Sequence, residues 1–262
     1  GFEGVGGGVW DWRSRDGVDF MTPVMNQDNV HFCASSWVIA VTGCLEDRLA
    51  IDGGYDFRRP AFSVQSIIHA EPGGSSCEGG DPTHLNELIY FGGLVDISCN
   101  PYRAANRIDS IYVSRNTCQS CDGPIPTSYP ESDENCFAIE TGPEYKIDAQ
   151  NTFSLPSGDV EVMKSEIAQN GPIICKLMAS DELYEYEFND DIFEQEDPED
   201  FRDQYVVVVG WGLEENTGRY YWIVRNSWGT IWGDHGYVYL YHEENNLGIE
   251  RECIKTSAIP VQ

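Results

Sequence analysis

Residues 27–37 read Gln27-Asp28-Asn29-Val30-His31-Phe32-Cys33-Ala34-Ser35-Ser36-Trp37, and the chain changes character where they end. From Ser35 or Ser36 to about Ile51, Trp37, Val41, Cys44, Leu45 and Leu49 recur at helical spacing, and Gly53-Gly54 stops the run. A polar loop carrying a cysteine is thus delivered onto the first turn of an apolar helix.

Outward from this point the pattern stays helical for the first half of the chain. A shorter helix is expected from Ser63 through Val64, Ile67 and Ile68. A third opens with Asp81 as N-cap and Pro82 in the first turn and ends at Gly92. From about Cys99 to Gly142 the text is loop-like, with Pro, Asn, Ser and four cysteines. One more helix fits Asp159 to Gln169, closed by Gly171-Pro172. Beyond Pro172 the period becomes strand-like: Ile173 to Leu177, Tyr205 to Val209, Tyr220 to Val224 and Tyr237 to Tyr241 are β-branched or aromatic runs. Helices first and strands later predict an α+β fold with two lobes sharing an interface. There is no internal repeat.

The 262 residues include 44 acidic and 16 basic side chains, a formal net charge of −28. Seven Trp and fourteen Tyr supply the rigid apolar bulk that an acidic disordered tail lacks. An acidic surface argues against nucleic acid as a partner, because phosphate contacts need an excess of Lys and Arg. No run approaches the length of a membrane span. The start at Gly1-Phe2-Glu3-Gly4 has no charged and apolar leader, so a signal or pro-segment is expected to be removed or absent. Residues 181–203 hold twelve acids and one base, read as a solvated surface loop or as a site for Ca²⁺ or a basic partner. Nine cysteines point to an oxidising compartment, and the odd count leaves at least one unpaired. Cys118-x-x-Cys121 by itself fits half a zinc site or a redox motif, but no second close pair accompanies it, which favours disulfides and no metal.

The stretch from Cys33 to Trp37 resembles the papain and cathepsin signature C-G-[SA]-C-[WY], whose second cysteine is the nucleophile. Three further landmarks agree in order: Ser76-Cys77-Glu78-Gly79-Gly80, Val209-Gly210-Trp211-Gly212 and Asn226-Ser227-Trp228-Gly229. The resemblance spans essentially the whole chain. Within the family it points to the cathepsin X (cathepsin Z) carboxypeptidases, because Asp28, Asn29, Val30, His31 and Phe32 have the length of their mini-loop insertion. It implies a papain-like two-lobe domain over 1–262, with a helical left lobe at about 13–137. A β-barrel-like right lobe follows at about 138–262, takes in the N-terminal segment and leaves an interlobe cleft. It also implies disulfides Cys33–Cys77, Cys99–Cys118, Cys121–Cys136 and Cys175–Cys253, with Cys44 free. A further family disulfide has no cysteines here, at Ala70 and near Asp109.

The departures concern catalysis. The resemblance places Ser36 where the nucleophilic Cys belongs and, counting back from Gly210, Gln204 where the base His belongs. Gln27, the oxyanion-hole position, and Asn226, which orients the base, are kept. Asp28 stands where the mini-loop His holds a substrate carboxylate, and an acid there repels one. A serine hydroxyl needs a base at the moment of attack, and a neutral amide takes no proton near pH 7. His31 is the nearby candidate base but lies on the wrong side. The expected function is therefore that of an inactive structural or protein-binding module in the secretory pathway, extracellular or in a lysosome- or granule-like compartment, without a cofactor. The alternatives are a weak or altered Ser-dependent hydrolase and an acidic, cation-binding matrix protein.

Overall fold

The computed structural model describes residues 8–29, 31–54, 59–70, 77–84, 93–106, 117–121, 136–140, 144–189, 191–242 and 245–261. In chain order these form β1 (Trp10–Asp11), α1 (Ser36–Gly53), α2 (Val64–Ala70), β2 (Thr117–Cys121), β3 (Cys136–Glu140), β4 (Tyr145–Ile147), β5 (Phe153–Ser154) and α3 (Val160–Asn170). There follow β6 (Ile173–Ala179), α4 (Asp181–Tyr184), β7 (Arg202–Leu213), β8 (Tyr220–Arg225), β9 (Tyr237–Tyr241), β10 (Cys253–Lys255) and β11 (Ala258–Pro260).

Helix α1 is buried from Ser36 to Leu45 without a break, which marks a central helix rather than a surface one. Its polar residues are therefore paired. Arg48 donates to Pro172 O at 2.7 Å, to Gly171 O at 3.2 Å and to Glu166 at 2.9 Å, locking α1 onto the end of α3. Asp47 accepts from Thr22 N at 2.6 Å and pairs with Arg225 of β8 at 2.8 Å. Gly43 makes room for that pair, since a Cβ there would lie 2.7 Å from Arg225 Nη2.

The main sheet has the order β5-β10-β6-β7-β8-β9, with β1 added on β7. Strand β7 is buried from Gln204 to Gly212 and reads as a nearly continuous hydrophobic run, as a strand covered on both faces must. Its pairing with β6 sets Gln204 opposite Leu177 and Tyr205 opposite Lys176. Disulfides join Cys33 to Cys77, Cys99 to Cys118 and, across β6 and β10, Cys175 to Cys253. The β2–β3 register sets Cys121 opposite Cys136, whose side chains lie outside the described residues. Cys44 is a buried thiol, its Sγ 3.1 Å from Pro172 O.

The expected helices and strands occur within two or three residues of the bounds read from the sequence, except that β7 runs further at both ends, and two readings change. The helix expected over 81–92 begins as a 3₁₀ turn at Pro82–His84, and 85–92 lie outside the described residues. The loop-like text after Cys99 contains the β2–β3 pair, which its short polar alternation did not signal. The acidic stretch 181–203 is exposed over most of its described length, as a solvated surface loop should be, and it is also tied down. Ser180 caps α4, Phe193 N bonds Tyr239 O at 2.8 Å on the edge of β9, and Asn246 bonds Gln195 N at 3.0 Å and Phe193 O at 2.6 Å. Ion pairs Glu194–Arg219, Asp197–Arg251 and Asp203–Lys176 offset part of its charge.

Candidate functional site

The loop before α1 is held from three sides. Gln27 N bonds Ser227 O at 2.8 Å, and Tyr102 donates its hydroxyl proton to Gln27 O at 2.5 Å while meeting Ser35 Oγ at 2.6 Å. The Cys33–Cys77 bridge fastens its far end. Asp28 turns its carboxylate inward, where Oδ1 accepts from Cys33 N at 3.1 Å and Asp28 N donates to Asn26 Oδ1 at 3.0 Å. Its role in the structure is thus to close the loop on itself. Asn29 accompanies it with a 3.4 Å bond from its N to Asn26 O. His31 and Phe32 are exposed, and Val30 lies outside the described residues.

This clamp delivers Ser36 to the first turn of α1, 4% exposed, with Oγ accepting a hydrogen bond from Tyr205 N at 3.2 Å. The residue before Tyr205 is Gln204. Its Nε2 lies 2.8 Å from Asn226 Oδ1, 3.0 Å from Gln27 Oε1 and 3.1 Å from Ser227 Oγ. Ser227 Oγ donates to Gln27 Oε1 at 2.7 Å, and Ser227 N donates to Asn226 Oδ1 at 2.8 Å. Gln27, Gln204, Asn226 and Ser227 are all buried, so each carbonyl and amide here needs a partner, and the network supplies most of them. Asn226 Nδ2 is buried without one among the described residues.

The four residues singled out from the sequence, Gln27, Ser36, Gln204 and Asn226, thus assemble where α1 meets β7. None of the three side chains around Gln204 titrates. Two of the imidazoles elsewhere are committed, and His235 is exposed: His69 bonds Gln65 at 2.8 Å and Asn100 at 3.3 Å, and His242 packs against Tyr220 and Trp222. Burial, and then Lys164, push His242 down to about 4. Among the described residues no group of His, Cys, Asp or Glu could hold a metal ion.

In front of Ser36 lies an open groove of about 620 Å³. Phe32, Trp37 and residues 77–80 form one wall, and Arg202, Asp203 and Tyr205 the other. Gly80 lets the first wall lie directly on α1, since a Cβ there would come within 2.4 Å of the Trp37 ring. Sequence reasoning missed Tyr102, Tyr205 and Ser227 as site members. Ser227 stood inside a quoted motif and Tyr205 next to Gln204, but Tyr102 follows Pro101 in aperiodic text that carried no signal.

Comparison with known proteins gives the family and the fold. The family described as papain family cysteine protease matches residues 8–257. Cathepsin Z of Onchocerca volvulus is 32% identical over 253 residues, covering 94% of this chain and 76% of that protein. A cathepsin L-like peptidase of Aedes aegypti is 28% identical, covering 90% of this chain and 59% of the relative. Among solved structures, digestive procathepsin L 3 of Tenebrio molitor larval midgut superposes with a TM-score of 0.66 at 26% identity, over 99% of this chain and 71% of that one.

Proposed function

The chain belongs to the papain family of cysteine proteases, and from that premise we propose that it is a catalytically inactive member serving as a structural or protein-binding module. In this reading Ser36 occupies the nucleophile position and Gln204 that of the general base. The observation that carries it is the Gln204 amide, whose nitrogen lies within hydrogen-bond distance of Asn226, Gln27 and Ser227 and shares its two N–H groups among them. An amide nitrogen accepts no proton near pH 7, so the Ser36 hydroxyl has no base beside it. The Tyr205 N–H bond to Ser36 Oγ works in the same direction, because a donor on the hydroxyl oxygen withdraws electron density and lowers its nucleophilicity. Loss of such partners leaves at best about 10³–10⁴-fold over water from binding and the oxyanion hole.

The two-lobe division, left lobe at about 13–137 and right lobe at about 138–262 with the N-terminal segment, belongs to this reading. So does an oxidising compartment, secretory, extracellular or lysosome-like, which the three described disulfides support. A protein partner or larger assembly belongs to this reading too, with Ca²⁺ or a basic partner at the acidic segment 181–203 as the further option. The test is incubation with fluorogenic peptide and ester panels together with a fluorophosphonate probe. No turnover and no labelling of Ser36 are expected. Stoichiometric labelling of Ser36 would overturn the proposal, since it reports an activated serine.

A further inference from the structure

Helix α2 buries an imidazole in a network that fixes its protonation state. Gln65 is fully buried; its Oε1 accepts from Arg103 N at 2.8 Å and its Nε2 donates to Ala105 O at 2.7 Å. Those two backbone bonds decide which end of the amide is nitrogen. The Nε2 that lies 2.8 Å from His69 Nε2 can therefore only donate there. His69 Nε2 is an acceptor, so the buried ring is neutral and carries its proton on Nδ1. That proton faces the Asn100 amide at 3.3 Å, whose oxygen and nitrogen exchange places by a half-turn of the side chain.

Protonating His69 Nε2 sets one donor against another. Turning the Gln65 amide over meets the imidazolium but points Oε1 at Ala105 O and Nε2 at Arg103 N. Either way buried bonds are lost. The turn that Gln65 holds is itself under strain: Ala104, between its two contacts, is buried at a φ of 51°, a left-handed conformation that alanine disfavours. Both ends of this turn reach the site. Tyr102 clamps Gln27 O and Ser35 Oγ, and Asn106 Oδ1 accepts from Cys77 N at 2.8 Å on the groove wall. Charged groups on the elements around α2 are Glu46, Asp47 and Arg48 of α1, Asp96 and Arg103 of the segment 94–106, and Lys146 of β4. Glu46 is bonded to Phe62 N at 2.6 Å, Asp47 to Arg225, Arg48 to Glu166 and Asp96 to Ser98, while Arg103 is a cation on the clamped turn itself.

We propose that His69 is a pH switch: as pH falls from neutral into the acid range, its protonation breaks the Gln65 tie and releases the turn 102–106, loosening the loop before α1 and the wall at Cys77. The sign follows from the acceptor role of Nε2, since the tied state favours the neutral ring and loses its advantage as the ring charges. The inference stands apart from the inactivity of Ser36, because it concerns which state the loop adopts and not what the loop catalyses.

Amide hydrogen exchange read by mass spectrometry, corrected for intrinsic rates, tests it by comparing about pH 7.5 with about pH 5. Protection of segments 99–106 and 26–35 should fall about tenfold or more relative to α3, the effect of losing a buried hydrogen bond. In His69→Gln, which keeps an acceptor for Gln65 at every pH, the fall should vanish. Unchanged protection in the wild type, or the same fall in the variant, overturns the proposal. Should His69→Gln not fold, the imidazole nitrogen chemical shifts of the wild-type protein decide. They should report a neutral ring protonated on Nδ1 at about pH 7.5, and an imidazolium or an Nε2–H tautomer there overturns the switch.

Discussion

Gln204 donates through Nε2 to Asn226 Oδ1 at 2.8 Å, and both side chains are buried. The pair is an amide holding an amide, so the contact stores no proton and changes little with pH. The same nitrogen reaches Gln27 Oε1 and Ser227 Oγ, which are also bonded to each other at 2.7 Å. The arrangement behaves as a structural clasp between the α1 loop and the sheet.

Gln204→Leu should therefore destabilise the protein by about 1–3 kcal/mol, because Asn226 Oδ1 and Gln27 Oε1 lose a buried donor. Urea unfolding measures this. A loss under about 0.5 kcal/mol would mean that water replaces the amide at no cost.

Restoring the chemistry requires both positions. Ser36→Cys alone should react slowly with iodoacetamide at pH 6. Ser36→Cys with Gln204→His should react at least about tenfold faster, since an imidazolium beside the first turn of α1 favours the thiolate. Equal alkylation rates, read by intact mass, would show that residue 204 does not face residue 36.

Asp47→Ala should cost about 3–5 kcal/mol, because it leaves Arg225 buried and charged with its partner gone. Thermal and urea midpoints should both fall. Asp203→Ala, an exposed ion-pair member, serves as the comparison and should change stability by about 1 kcal/mol or less.

Glu46 titrates in an unusual range. Burial, only partly opposed by the Phe62 N–H bond, pushes its carboxyl up to about 7 from an ordinary value of 4.5. The folded state therefore binds a proton between these values that the unfolded state does not, so stability should rise as pH falls from about 7 toward 4.5. Melting temperature against pH checks the sign, and Glu46→Gln should flatten that part of the curve. An unchanged slope in the variant would assign the effect to other acids.

Cys44 should resist thiol reagents in the native protein. Burial pushes its thiol up to about 11, and on the inward face of α1 it has no exposed surface. Labelling with a maleimide should occur only after unfolding, and labelling of the folded chain would mean that α1 opens locally.

Much of this protein was legible in its sequence because the signals are periodic or local. The spacing of Trp37, Val41, Cys44 and Leu45 marks α1, and Asp159 with Gly171 marks both ends of α3: Asp159 Oδ1 takes Val162 N at 3.0 Å, and Gly171 sits at a φ of 104°. The unbroken apolar run after Tyr205 marks a strand buried on both faces. The ordered motifs also pointed to Gln27, Ser36, Gln204 and Asn226. What the sequence could not state was how these four meet: their separations run to 199 positions, from Gln27 to Asn226. Contacts at that range follow from strand register and side-chain rotamers rather than from local propensity. Only the tertiary structure decided that Tyr205 N, not a base, addresses Ser36 Oγ, that Tyr102 clamps Gln27, and that Asp28 turns inward to cap its own loop. The acidic stretch shows the same limit from the other side. Its composition read as solvated, and most of it is exposed; composition did not show that Phe193 and Gln195 tie it to β9 and to Asn246, because a few long-range hydrogen bonds to backbone groups decide the path of a segment whose charges only decide its solubility.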